Sequence, residues 1–166
     1  MKNIPVEELS PESFRKFGVY QSLVDNEAIA AASINGAGGF APDLIYMHFS
    51  PAALPTISVA TVKKQDKRVI RFLEYHRNTC EGMLPLDDDI VIYVGTLYRR
   101  ELSTENLRAF RIPKGTFVRL NSYIIHGTQF CSKPEAHILI MLTERTFGND
   151  IVFKMLSEEE QVEVIG

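Results

Sequence analysis

The sequence predicts a mainly β protein: a single antiparallel β-barrel domain over residues 1–166, with short helices on its periphery. Nine short runs after Asp43 are rich in Val, Ile, Phe and Tyr and separated by turn residues: LIYMHFS, TISVATV, RVIRFLEYH, DIVIYVGTL, LRAFRI, GTFVRL, YIIHGTQF, HILIMLTE and IVFKML. Many short strands avoid exposed edges by closing or sandwiching into a barrel. Nothing in this region has the roughly ten residues of helical periodicity that a crossover between parallel strands needs. With 166 residues, 45% of them hydrophobic, the chain supports one ordinary core better than two.

Before the strands, Ser10-Pro11 followed by Glu12, Phe14, Phe17 and Gly18 supplies a helix start, an apolar pair on one face and a stop. VYQSLV begins as a strand, and EAIAAAS suits one or two helical turns. Residues 35–42, NGAGGFAP, hold too much glycine and proline for either state and form a loop. Later, Asp87-Asp88-Asp89 makes a solvated hairpin turn and Lys114-Gly115 a second turn, while LSTENLRAF is too short for a crossover. Ser157 and three glutamates after it start a final short helix. Phe72, Ile92, Val94, Phe117, Ile125, Ile140 and Leu142 are the expected core.

Composition excludes several functions. Eighteen Lys plus Arg against 21 Asp plus Glu leave a net charge of -3, which gathers neither nucleic acid nor an anionic membrane. No apolar run is long enough to span a bilayer and no basic-then-apolar leader opens the chain, so a cytoplasmic location is the expectation. Cys80 and Cys131 specify no disulfide framework and are read as free thiols.

The chemistry concentrates between Arg71 and His126. Glu74 and His76 share one face of an extended strand with Phe72, whereas Leu73 and Tyr75 take the other. The four residues between His76 and Glu81 let the chain leave that strand and bring a carboxylate back beside the imidazole. A second segment, KGTFVRLNSYIIHGTQF, delivers His126. A carboxylate inside an apolar strand is uncommon without a partner or a task. His48 and His137 lack spacing to a second ligand.

The pattern E-x-H-x4-E, then Gly115, Asn121, Tyr123 and His126, resembles the two motifs of the cupin superfamily. Glu74 stands where a histidine is usual, Asn121 and Tyr123 replace a proline and a glycine, and Phe130 replaces an asparagine. More narrowly, the LSTENLRAF segment, the Leu73, Glu74, His76 and Pro85 element and the opening LSPESFRKFG resemble the ureidoglycolate lyase family of allantoin degradation. That resemblance implies a homodimeric cupin-like barrel that releases urea from ureidoglycolate and leaves glyoxylate. Around His126 the segment is more aliphatic than the family's usual pattern.

Under this reading, Glu74 and His76 form the acid–base pair and His126 stands across the substrate. Arg108 clamps the carboxylate of a small acid through its planar fork, and the Tyr123 phenol donates to an oxyanion. In the competing arrangement Glu74, His76, Glu81 and His126 hold one divalent ion, Zn, Mn, Fe or Ni. Two other functions stay open: a different cupin-type enzyme, such as a metal-dependent isomerase or a sugar-related enzyme, and a non-catalytic small-molecule-binding barrel.

Overall fold

The computed structural model describes residues 1–36, 38–49 and 52–166. In chain order its elements are β1 (Lys2–Glu8), α1 (Pro11–Phe14), β2 (Gly18–Ser22), α2 (Asn26–Ala32), β3 (Pro55–Lys63), β4 (Val69–Ile70), β5 (Phe72–Tyr75) and β6 (Glu81–Pro85). They continue through β7 (Ile90–Val94), β8 (Arg108–Ile112), β9 (Thr116–Leu120), β10 (Phe130–Cys131), β11 (Glu135–Thr143), α3 (Thr146–Asn149), β12 (Val152–Met155) and β13 (Val162–Ile165).

Two curled sheets, ordered β10-β7-β8-β1-β13-β4 and β2-β9-β6-β11-β3, face each other as a cupin-like half-barrel, and the β12-β5 ribbon stands beside them. Side chains from both sheets fill the space between, among them Phe110, Ile112, Val118, Leu120 and Ile138. A second cluster, including Leu73, Tyr93, Ile125 and Val162, covers the other side of β7 and β8. This explains why β7 reads IVIYV without alternation: Ile90, Ile92 and Val94 enter the first cluster, Val91 and Tyr93 the second.

The short helices form where their caps place them. Ser10 accepts from the Ser13 amide and Ser13 answers at the Ser10 amide, a reciprocal cap, while Pro11 opens the first turn of α1. Asp25 caps α2 by accepting from the amides of Glu27 and Ala28. Gly115, with φ of 77°, occupies the left-handed region that its turn into β9 requires.

Several expectations are corrected. The pairing is not wholly antiparallel, since β1 runs parallel to both β13 and β8. LIYMHFS forms no strand over its described residues 44–49. Its backbone is held instead by single contacts: the His48 amide to Cys80 Sγ at 3.1 Å, the Cys80 amide to the His48 carbonyl, and Arg119 to the Tyr46 carbonyl. The Ser157 to Glu160 stretch is a turn rather than a helix, and the chain then runs into β13, where Val162 and Val164 supply buried apolar surface. Of the expected core residues all are buried except Phe72, which is half-buried.

Candidate active site

Four side chains converge from three separate segments. Glu74 lies in β5, and its backbone exchanges both hydrogen bonds with His126, 3.0 Å from the Glu74 amide and 2.9 Å to the Glu74 carbonyl. Residues paired in this way present their side chains on one face. His76 is on the same face two residues further along, and Glu81 opens the next strand, β6. Alternation along one strand, a cross-strand pair and a five-residue return thus build the cluster.

The Nε2 atoms of His76 and His126 each lie 3.1 Å from the same oxygen, Glu81 Oε2, and their ring centroids are 5.1 Å apart. His76, Glu81 and His126 are all buried. Glu74 Oε1 stands 3.9 Å from His126 Nε2, beyond hydrogen-bonding distance, with its side chain 15% exposed.

The other ring nitrogens decide the protonation. His76 Nδ1 lies 2.7 Å from the Asp150 carbonyl and His126 Nδ1 2.8 Å from the Ile124 carbonyl. A carbonyl only accepts, so both Nδ1 atoms carry hydrogen and donate. Each Nε2 of a neutral ring would then point a lone pair at a carboxylate oxygen. A proton in the cluster or a metal ion between the donors relieves that contact. Without metal, burial by itself pulls His126 down, but the charge and hydrogen bond of Glu81 outweigh it and raise His126 to about 9. Burial likewise pushes Glu81 up, yet the charge and hydrogen bond of His126, with the hydrogen bond of His76, bring it down to about 2. Glu74 is raised, chiefly by burial and opposed by the charge of His126.

This donor set can hold a divalent ion. Two imidazole nitrogens and one carboxylate oxygen lie within 4.8 Å of one another. Ligands about 2.0–2.2 Å from a tetrahedral zinc are separated by roughly 3.3 Å, close to the 3.1 Å here. The Nδ1–H to carbonyl bonds are the outer contacts that orient metal-ligating histidines. Both histidine-to-carboxylate separations suit a divalent ion, and the three residues could hold one.

Two supports of the cluster were not anticipated from the sequence. Asp150, at the end of α3, accepts from the Arg77 and Asn78 amides and from Asn78 Nδ2, fixing the turn after His76. It lies 74 residues from His76, and nothing local marks it. Gly127 is required because a Cβ there would meet the Tyr93 hydroxyl at 1.9 Å, and that hydroxyl donates to the Phe72 carbonyl. The His-Gly dipeptide at 126–127 was its available clue.

Arg108 and Tyr123 are not brought to this cluster. Arg108 is engaged by Glu7 through two nitrogens, by the Ser13 carbonyl and by the Phe110 ring, and it lies outside the cavity onto which Glu74 and Glu81 open. Its fork is already filled by a carboxylate of this chain. Tyr123 occupies a turn at φ of 66°, half exposed, with its ring stacked on Tyr75 and its amide donating to the His76 carbonyl. It supports the backbone of His76, and its hydroxyl does not line the cavity. Asp87, Asp88 and Asp89 serve turns: Asp88 accepts from Ser132 and Lys133, Asp87 holds His137, and Asp89 accepts from the Lys114 amide.

No protein-family model matches the chain, and no curated protein matches it in sequence. Among solved structures it is similar to a point mutant of Bacillus subtilis oxalate decarboxylase, at 15% identity and a TM-score of 0.43, covering 63% of this chain and 24% of that one. It is also similar to dTDP-4-dehydrorhamnose 3,5-epimerase from Elizabethkingia anophelis NUHP1, at 6% identity and a TM-score of 0.41, covering 64% and 53%. RmlC from Streptococcus suis in complex with dTDP-D-xylose matches at 10% identity and a TM-score of 0.39, covering 54% and 44%. The chain therefore spans less than two thirds of each of these proteins.

Proposed function

We propose that the protein is a cupin-type enzyme that acts on an organic acid, with His76, His126 and Glu81 holding one divalent ion and Glu74 transferring a proton beside it. The carrying observation is the pair of Nε2 atoms turned toward one carboxylate oxygen by Nδ1–H bonds to backbone carbonyls. A bound Zn, Mn, Fe or Ni ion would polarise a substrate oxygen as a Lewis acid. Glu74 has the accessibility and the raised proton affinity of a general base, and its carboxylate has no hydrogen bond to the imidazoles.

The finer reading is release of urea from ureidoglycolate. Glu74 would take the hydroxyl proton, the carbon–oxygen double bond would form as the carbon–nitrogen bond breaks, and the proton would return to the leaving nitrogen. The similarity of LSTENLRAF and of the Leu73-to-Pro85 element to that lyase family supports it. The filled fork of Arg108 means that another group must bind the substrate carboxylate.

Purified protein should be stripped of metal, reloaded separately with Zn, Mn, Fe and Ni, and assayed for metal content and for glyoxylate from ureidoglycolate. We expect one ion per site, lost in His76→Ala and His126→Ala, and a roughly 10²–10⁴-fold fall in kcat for Glu74→Gln with metal retained. Folded protein that binds none of these ions would overturn the metal reading. Metal-loaded protein that yields no glyoxylate would overturn ureidoglycolate alone.

A further inference from the structure

The cavity that meets Glu74 and Glu81 measures about 560 Å³. That is within the roughly 300–1,000 Å³ of sites that enclose a whole metabolite-sized ligand, far more than a two-carbon acid fills. Its walls are mostly apolar: Val62 from β3, Ile140 from β11, Phe72 from β5 and Phe147 from α3. Phe147 is 69% exposed at the edge, and Phe153, the cross-strand neighbour of Glu74, packs on Phe72 with ring centroids 5.2 Å apart. A small hydrophilic acid would leave these rings facing water.

The cavity lining also carries positive charge. Lys63 and Lys64 are the cavity's cationic residues. Continued one residue past the end of β3, alternation puts Lys64 on the side of buried Val62 and Lys63 on that of exposed Thr61, and all four residues line the cavity. The lysine ion pairs among the described residues belong to Lys133 and Lys154, so Lys64 has no carboxylate of this chain to neutralise it.

We infer that the site takes a carboxylic acid with an aromatic body, the ring against Phe72 and Phe147, the carboxylate at Lys64 and the reacting group at the Glu74 end. This rests on the reading of the cluster as a reaction centre for an organic acid, and it names an aromatic substrate class in place of ureidoglycolate. Lys64 replaces Arg108 as the carboxylate partner, and Phe147 sets specificity.

Calorimetric titration with acetate, phenylacetate and the uncharged phenylacetamide separates ring from charge, and it should be run on both metal-free and zinc-loaded protein. Phenylacetate is expected to bind at least roughly 10-fold more tightly than acetate, the scale of burying one ring. Phe147→Ala should weaken phenylacetate and phenylacetamide alike. Lys64→Ala should weaken phenylacetate several-fold and leave phenylacetamide unchanged, with Lys16→Ala, an exposed lysine outside the cavity, as the control. Both Phe147 and Lys64 are exposed, so these variants should fold. Equal binding of acetate and phenylacetate, no binding of phenylacetate, or unchanged phenylacetate affinity in both variants would overturn the inference. Zinc uptake by the same samples is read independently: uptake without phenylacetate binding sinks only the aromatic-acid class, and phenylacetate binding without uptake sinks only the metal.

Discussion

In the metal-free protein, Glu81 and His126 each set the other's charge, and this fixes how stability varies with pH. Glu81 is lowered from 4.5 to about 2, so its contribution is present above its ordinary value and is lost as pH falls through about 2. His126 is raised from 6.5 to about 9, so its contribution is complete below 6.5 and is lost as pH rises through about 9. Stability from this pair should therefore peak between about 4.5 and 6.5. Thermal melts of metal-free protein from pH 3 to 10 should show that maximum, and Glu81→Gln should remove the alkaline decline. A flat alkaline limb in the unsubstituted protein would contradict the ion pair. A metal ion must displace the proton on His126, so zinc affinity, measured by competition with a chelator, should climb between pH 6 and 9.

At the scale of elements, β5 is the platform and α3 with its following residue is the brace. Asp150 gives its carbonyl to His76 and its carboxylate to three donors in the turn after it. Asp150→Ala keeps the carbonyl but strips the three side-chain bonds, so His76 loses the support of its turn. We expect a loss of about 0.5–1.5 kcal/mol in urea unfolding, the net scale of a hydrogen bond whose donors, exposed at Arg77 and Asn78, can turn to water. Metal affinity should fall by less than the roughly 10- to 100-fold of losing an outer contact outright, because the carbonyl partner of His76 Nδ1 remains. Unchanged metal affinity would show that the turn holds His76 without Asp150.

The sequence made β5 legible because a period of two put Glu74 and His76 on one face whatever the rest of the chain did. The brace was illegible because it depends on a contact 74 residues away. For β13 the acidic run was misleading. Its glutamates suit a helix start, but only the turn forms before Val162 and Val164 enter the second core cluster, where tertiary burial overrides local preference.

Across the whole molecule, the short β-rich runs anticipated two opposed sheets, while the parallel placement of β1 between β8 and β13 is a matter of topology that no local pattern encodes. Arg108 shows the same limit at the site. Its chemistry suited a carboxylate clamp, and the fold supplied Glu7 as the carboxylate.

The topology also leaves β3 at a sheet edge, and on one of its faces Ile57 and Val59 are 69% and 60% exposed. Their cross-strand partners in β11, Met141 and Leu139, share that face and are only partly buried. Exposed apolar rows on an edge strand favour pairing with another chain unless something covers them. A second copy of this chain is the expected cover, in line with the general prevalence of two-fold symmetric assemblies. Sedimentation equilibrium should give twice the 18.8 kDa chain mass, and the double variant Ile57→Lys with Val59→Lys should shift it to the monomer without loss of β-sheet signal, because both side chains already face solvent. A concentration-independent mass of 18.8 kDa for the unsubstituted protein would refute the dimer. A dimer unaffected by the lysines would place its interface on another face.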